Sequence, residues 1–124
     1  MDARGLVFSA IAMRENSDLA EIIGAADYLN RTMLTPSEFE SGIQALLGAK
    51  LIEETEPVHF RLTDSGRVLW ASTGTDGVIT RFLRAVKLVP LQSPSVDWTV
   101  DRQVFKDAEA AYRDRVNSWM GRNE

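Results

Sequence analysis

The chain contains no cysteine, which excludes disulfides, zinc–thiolate sites and thiol nucleophiles, and fits a reducing compartment. It holds a single histidine, His59. There is no phosphate-binding glycine loop, no nucleophile elbow and no metal-ligand spacing, so no enzyme, metal or cofactor is expected. No apolar run approaches the roughly 18–20 residues that cross a bilayer. The opening "MDARGLVFSAIAMRENSDL" has a short apolar core without a basic leader or a small-residue cleavage site. It reads as a helix and not a signal peptide, so a cytoplasmic protein with no membrane partner is expected. A basic surplus is missing too. Fourteen Lys and Arg face eighteen Asp and Glu, for a net charge of −4. Proteins dedicated to nucleic acid usually carry the opposite balance, because phosphate neutralisation dominates their affinity. The deficit is uneven. Residues 1–63 hold five basic residues against ten acids, and residues 64–124 hold nine against eight.

What is present is an ordinary globular composition in 124 residues, enough for one real core. Leu6, Val7, Ala10 and Ile11 recur at helical spacing and predict a first helix near residues 3–14. After the break at "ENSD", Asp18 and Glu21 have capping-box spacing. The helix they start carries Leu19, Ile22, Ile23, Ala26 and Leu29 on one face and ends around "NRTM". Thr35-Pro36-Ser37-Glu38 is a stronger start, with an N-cap, a proline at the first helical position and a capping-box Glu. Phe39, Ile43, Leu46 and Leu47 form the buried stripe of this third helix.

Leu51-Ile52 opens a strand. Val58, Phe60 and Leu62 alternate with His59 and Arg61 in a second, which predicts a hairpin around "EETEP". Thr63 caps a helix through Val68, Leu69 and Trp70, and the Gly-rich "STGTDG" breaks or kinks it. A further helix is expected over 78–89 with Val78, Ile79, Phe82, Leu83 and Val86 inward. "PLQSPSVDW" reads as a linker docked by Trp98. The last helix, over 101–119, carries Val104, Phe105, Ala108, Ala111, Tyr112, Val116 and Trp119 on one broad face. Trp98, Tyr112 and Trp119 are expected in the core.

The fold class expected is mainly α with a small β-hairpin, an α+β arrangement. "TPSEFESGIQALLGAKLIEE" joined to "HFRLTDSGR" resembles the winged helix-turn-helix superfamily. Many bacterial members carry a "LxxxGLI" phrase after the third helix and a wing closing on "YRLTxxGR". The equivalents here are "LLGAKLI" (Leu46 to Ile52) and "HFRLTDSGR" (His59 to Arg67). The apolar pair after the helix starts the strand beneath it, and the Leu-Thr step ends the wing and caps the next helix. The match covers about residues 4–70. It implies a winged-helix domain over 1–72 and a helical extension over 73–124 that packs on it or forms a dimer interface. The apolar pattern of the second helix runs on through "AADYLNRTML", so a longer helix or a looser turn than the compact motif is expected.

The resemblance also implies a transcriptional regulator that places its third helix in the major groove of duplex DNA, and a homodimer through the C-terminal helix. Ser37, Ser41, Gln44 and Lys50 would then be the contacts from the helix and its end, with His59 and Arg61 on the wing. Glu38 is expected as a cap, and Glu38 and Glu40 would repel phosphates. Arg81, Arg84 and Lys87 form a secondary basic stripe that could meet phosphates, an acidic partner or only solvent. The alternative is a winged-helix module for protein contact, or a relative that binds no DNA; the fold is used for both. The acidic first half supports that alternative, while the fold resemblance keeps the DNA-binding regulator ahead.

Overall fold

The computed structural model describes residues 3–90 and 96–121, with side chains described through residue 118. In chain order the elements are α1 (Arg4–Ala12), β1 (Ser17–Asp18), α2 (Leu19–Asn30), α3 (Pro36–Gly48), β2 (Ile52–Glu56), β3 (His59–Leu62), α4 (Asp64–Ser72), α5 (Val78–Leu88) and α6 (Arg102–Gly121). The class is α+β, mainly helical with one small antiparallel sheet.

The helix starts follow from side chains that capture free amides. Asp18 accepts from the Glu21 N–H at 2.8 Å while Glu21 reaches back to the Asp18 N–H. Thr35 and Glu38 form the same reciprocal pair at the head of α3, with Pro36 at its first position. Thr63 does more than cap α4. Its hydroxyl donates to the Lys50 carbonyl at 2.6 Å and accepts from the Gly66 N–H at 3.1 Å. A Cβ on Gly66 would lie 2.1 Å from the Leu51 carbonyl oxygen, so only glycine lets α4 approach the end of α3 this closely.

Helix α3 ends in a Schellman motif, with the Leu51 N–H on the Leu46 carbonyl and the Lys50 N–H on the Leu47 carbonyl. The left-handed position of that motif belongs to Lys50, at φ 60. It is the place of the glycine in the resembled "LxxxGLI" phrase. Between α2 and α3 the connection runs from Arg31 to Thr35, with Arg31 also left-handed at φ 55.

The sheet has the order β1-β3-β2. Sequence patterning predicts only the β2–β3 hairpin, because the two residues of β1 are too few to show alternation. Ser17 pairs with Phe60 and Asp18 with His59. On the other side Ile52 pairs with Leu62, Glu53 with Arg61 and Glu54 with Phe60, and the register slips between Glu54 and Glu56.

Helix α1 is buried from Gly5 through Ile11 and lies among α2, α3 and α5. A helix covered on every side is apolar nearly all round, and here Ser9 is the one polar side chain from Gly5 through Ile11. Phe8, Ile11, Ile22, Ile23, Phe39, Ile43, Leu46, Phe60 and Phe105 are fully buried. Phe82 and Ala85 of α5 and Phe105 of α6 belong to the same core. Helix α5 docks on α1 through a narrow stripe, with Val86 against Gly5. Of the residues expected inward, Phe82 is buried and Val78 and Val86 are half-buried, but Ile79 and Leu83 face solvent at 45% and 58% exposure. A helix with a wide apolar pattern here packs mainly on α1, with lesser contacts to α4 and α2, and leaves the rest of its apolar face outside. In the same way Val68 on α4 and Val104 on α6 are exposed, while Phe105 is buried and Ala108, Ala111, Tyr112 and Val116 are half-buried. The side chain of Trp119 lies outside the described residues. No helix among the described residues is long and apolar enough to cross a membrane.

Candidate interaction face on the third helix

The outward side of α3 is set by its buried stripe. With Phe39, Gly42, Ile43 and Leu46 inward, Ser37 and Ser41 are exposed. Glu38 beside them is held by its capping bond to the Thr35 N–H. The flank carrying Glu40 and Gln44 is not open. Residues 96–102 lie across it as a strap between α5 and α6.

The strap is held by its backbone. The Val96 N–H donates to the Gln44 carbonyl at 3.2 Å, and the Trp98 carbonyl accepts from Gln44 Nε2 at 2.7 Å. The Val100 N–H donates to Glu40 Oε1 at 3.0 Å. Residues 96, 98 and 100 thus present backbone groups to α3 at the two-residue period of an extended chain. Side chains add to this. The Trp98 ring stands edge-on to Phe39 and Phe60, with centroids 5.7 and 5.5 Å away, and its indole N–H reaches Glu54 Oε1 at 3.3 Å. Val100 is buried, and Arg102 pairs with Glu40 at 3.3 Å. Asp101 then caps α6 by accepting from the Gln103 and Val104 amides. Trp98 does dock its segment, as the sequence suggests.

The expected contact residues are therefore dispersed in role. Ser37 and Ser41 are free of the strap; Gln44 is engaged by it. Lys50 and Arg61 line an open cleft of about 550 Å³ together with Glu53, Asp64 and Arg67. Arg61 is paired there with Glu53 across the strands. His59 approaches the Pro57 carbonyl with Nδ1 at 2.9 Å and Glu56 with Nε2 at 3.7 Å.

The three residues of the basic stripe also separate. Arg81 stacks 4.1 Å over Trp70 and donates to the Trp70 carbonyl and the Thr73 hydroxyl. Arg84 donates to the Thr73 carbonyl and pairs with Asp76. Both guanidinium groups thereby cap the end of α4 and tie it to α5. Lys87 is exposed.

Helix α6 is fastened to α2 by the Tyr112 hydroxyl, which donates to Asp27 Oδ2 at 2.6 Å. That bond, then burial and the carboxylate charge, push the phenol up from 10.0 to about 12. Among the described residues no cluster of three His, Asp or Glu side chains is placed to hold a metal ion.

Sequence reasoning missed Glu40 and Glu54 as acceptors. Read singly, each is one more surface acid. Their use depends on donors 44 and 60 positions away, the Trp98 indole N–H and the Val100 amide. Set against protein-family models, curated proteins and solved structures, the chain has no match in any of the three comparisons.

Proposed function

We propose that the chain is a winged-helix-type module that works through protein contact and does not read duplex DNA. Support for the fold type comes from the element order, helix–strand–helix–helix–hairpin, and from the local devices beneath the resembled phrases. Lys50 occupies the left-handed position where the phrase has glycine, and Gly66 sits against the Leu51 carbonyl where "LTxxGR" has its glycine.

The observation that carries the functional reading is the strap. Gln44 is the side chain on α3 best suited to pair with a base, and its amide is spent on the Trp98 carbonyl. Glu40 is a carboxylate on the same flank. The outward row that remains, Ser37 and Ser41, carries no cation to neutralise phosphate. Arg81 and Arg84 are engaged in holding α4 to α5.

One feature favours the reading as a DNA-binding regulator: Lys50, Arg61 and Arg67 share a cleft beside the wing. Glu53 and Asp64 offset them in that cleft. A titration of the full chain on random-sequence duplex at two salt concentrations separates the readings. Protein contact predicts no measurable duplex affinity even at low salt. Binding that weakens steeply as salt rises supports the regulator instead.

A further inference from the structure

The strap does not merely cover α3; it shows what that face recognises. Its contacts divide as those of a bound peptide do, with backbone bonds at alternate residues and side chains in shaped places. Two α3 residues, Glu40 and Gln44, bond to the strap backbone at Val96, Trp98 and Val100. An aromatic recess made by Phe39 and Phe60 takes the indole, with Glu54 accepting its N–H. Val100 is buried two residues on, and Glu40 pairs with the guanidinium of Arg102 two residues beyond that.

We infer that the face formed by α3 and the wing is a peptide-recognition groove. Its partner is a protein segment with tryptophan and a β-branched apolar residue at alternate extended positions, followed two residues on by a basic residue that opens a helix, as Arg102 opens α6. The chain's own residues 96–102 fill it in cis and so hold it closed to weak competitors. This rests on the protein-contact reading and names the partner chemistry. Glu40 selects for the basic residue, and Glu54 for an N–H donor on the aromatic ring. Tethering at both ends gives the strap a high effective concentration, so a partner must match the whole pattern to displace it.

The test uses the full chain and a fluorescent synthetic peptide with the sequence of residues 96–103. A Trp98→Ala chain, whose recess is vacated, is expected to bind the peptide at least about tenfold tighter than the unmodified chain does, a difference of about 1.4 kcal/mol. Adding Glu40→Gln, or replacing the peptide's tryptophan by alanine, is expected to abolish that gain. A folded Trp98→Ala chain that binds both peptides equally overturns the proposal.

If Trp98→Ala leaves the chain unfolded, the peptide is expected to restore its helical circular dichroism; no recovery likewise overturns it. Excess peptide on the unmodified chain is expected to speed hydrogen exchange at the Val96 and Val100 amides, and unchanged exchange at saturating peptide counts against displacement. The two readings fail separately. Salt-sensitive duplex binding overturns protein contact whatever the peptide does. Failure of the peptide with no duplex binding overturns the groove alone.

Discussion

Lys50 adopts φ 60 at the end of α3, a conformation that costs an L-residue with a side chain roughly 1–2 kcal/mol. Glycine there relieves the strain and gives back part of the gain through its freer unfolded chain. Lys50→Gly is therefore expected to raise stability by about 0.5–1 kcal/mol, read as a higher urea midpoint with an unchanged slope. Tyr112 makes a pH-dependent contribution. Its phenol is held neutral by the bond to Asp27, with a folded pKa of about 12 against 10.0. A raised pKa stabilises the fold fully below pH 10, and the contribution is lost as pH rises towards 12. Thermal melts across that window are expected to fall more steeply for the unmodified chain than for Tyr112→Phe. Parallel curves for the two would show that the bond adds nothing. Ser9 and Ser17, by contrast, are buried with hydroxyls that lack a partner.

Thr63 joins three elements, ending β3, capping α4 and holding the Lys50 carbonyl at the end of α3. Replacing it by valine keeps the shape and removes both hydroxyl bonds. Thr63→Val is expected to cost about 2 kcal/mol in chemical denaturation, from one lost cap and one lost hydrogen bond. Thr75→Val in the exposed α4–α5 loop is expected to cost close to nothing. Such local devices are what the sequence makes legible. The capping boxes at Asp18 and Thr35, the hairpin, and the stripes of α2 and α3 all depend on residues a few positions apart. The less legible features depend on distant partners. Strand β1 exists because β3 offers it an edge, and Ile79 and Leu83 are exposed because α5 is received mainly by α1 and nothing covers its outer side. Arg81 looks like part of a charged row until Trp70 and the end of α4 are placed beneath it. The site was legible in the same measure: Gln44 is visible as a candidate, but its partner at Trp98 is not.

At the scale of the whole molecule, the segments after α4 close over the earlier elements. Helix α5 lies on α1, α6 lies on α2, and the strap between them lies on α3. The face of α6 expected to serve a dimer carries Phe105, which packs on Phe39, and Tyr112, which bonds α2. The charge balance fits this arrangement, since the acids of the first half are partly used inward, Glu40 by Val100 and Arg102 and Glu54 by Trp98. The central claim is that α3 is occupied by its own strap in solution. Amide hydrogen exchange on the unmodified chain, read residue by residue without any ligand, tests it most directly. The Val96 and Val100 amides are expected to be protected well beyond a free chain, while Asp97 and Thr99 are expected to exchange freely. Exchange at Val96 and Val100 as fast as at their neighbours would mean that the strap does not rest on α3, and would contradict the account.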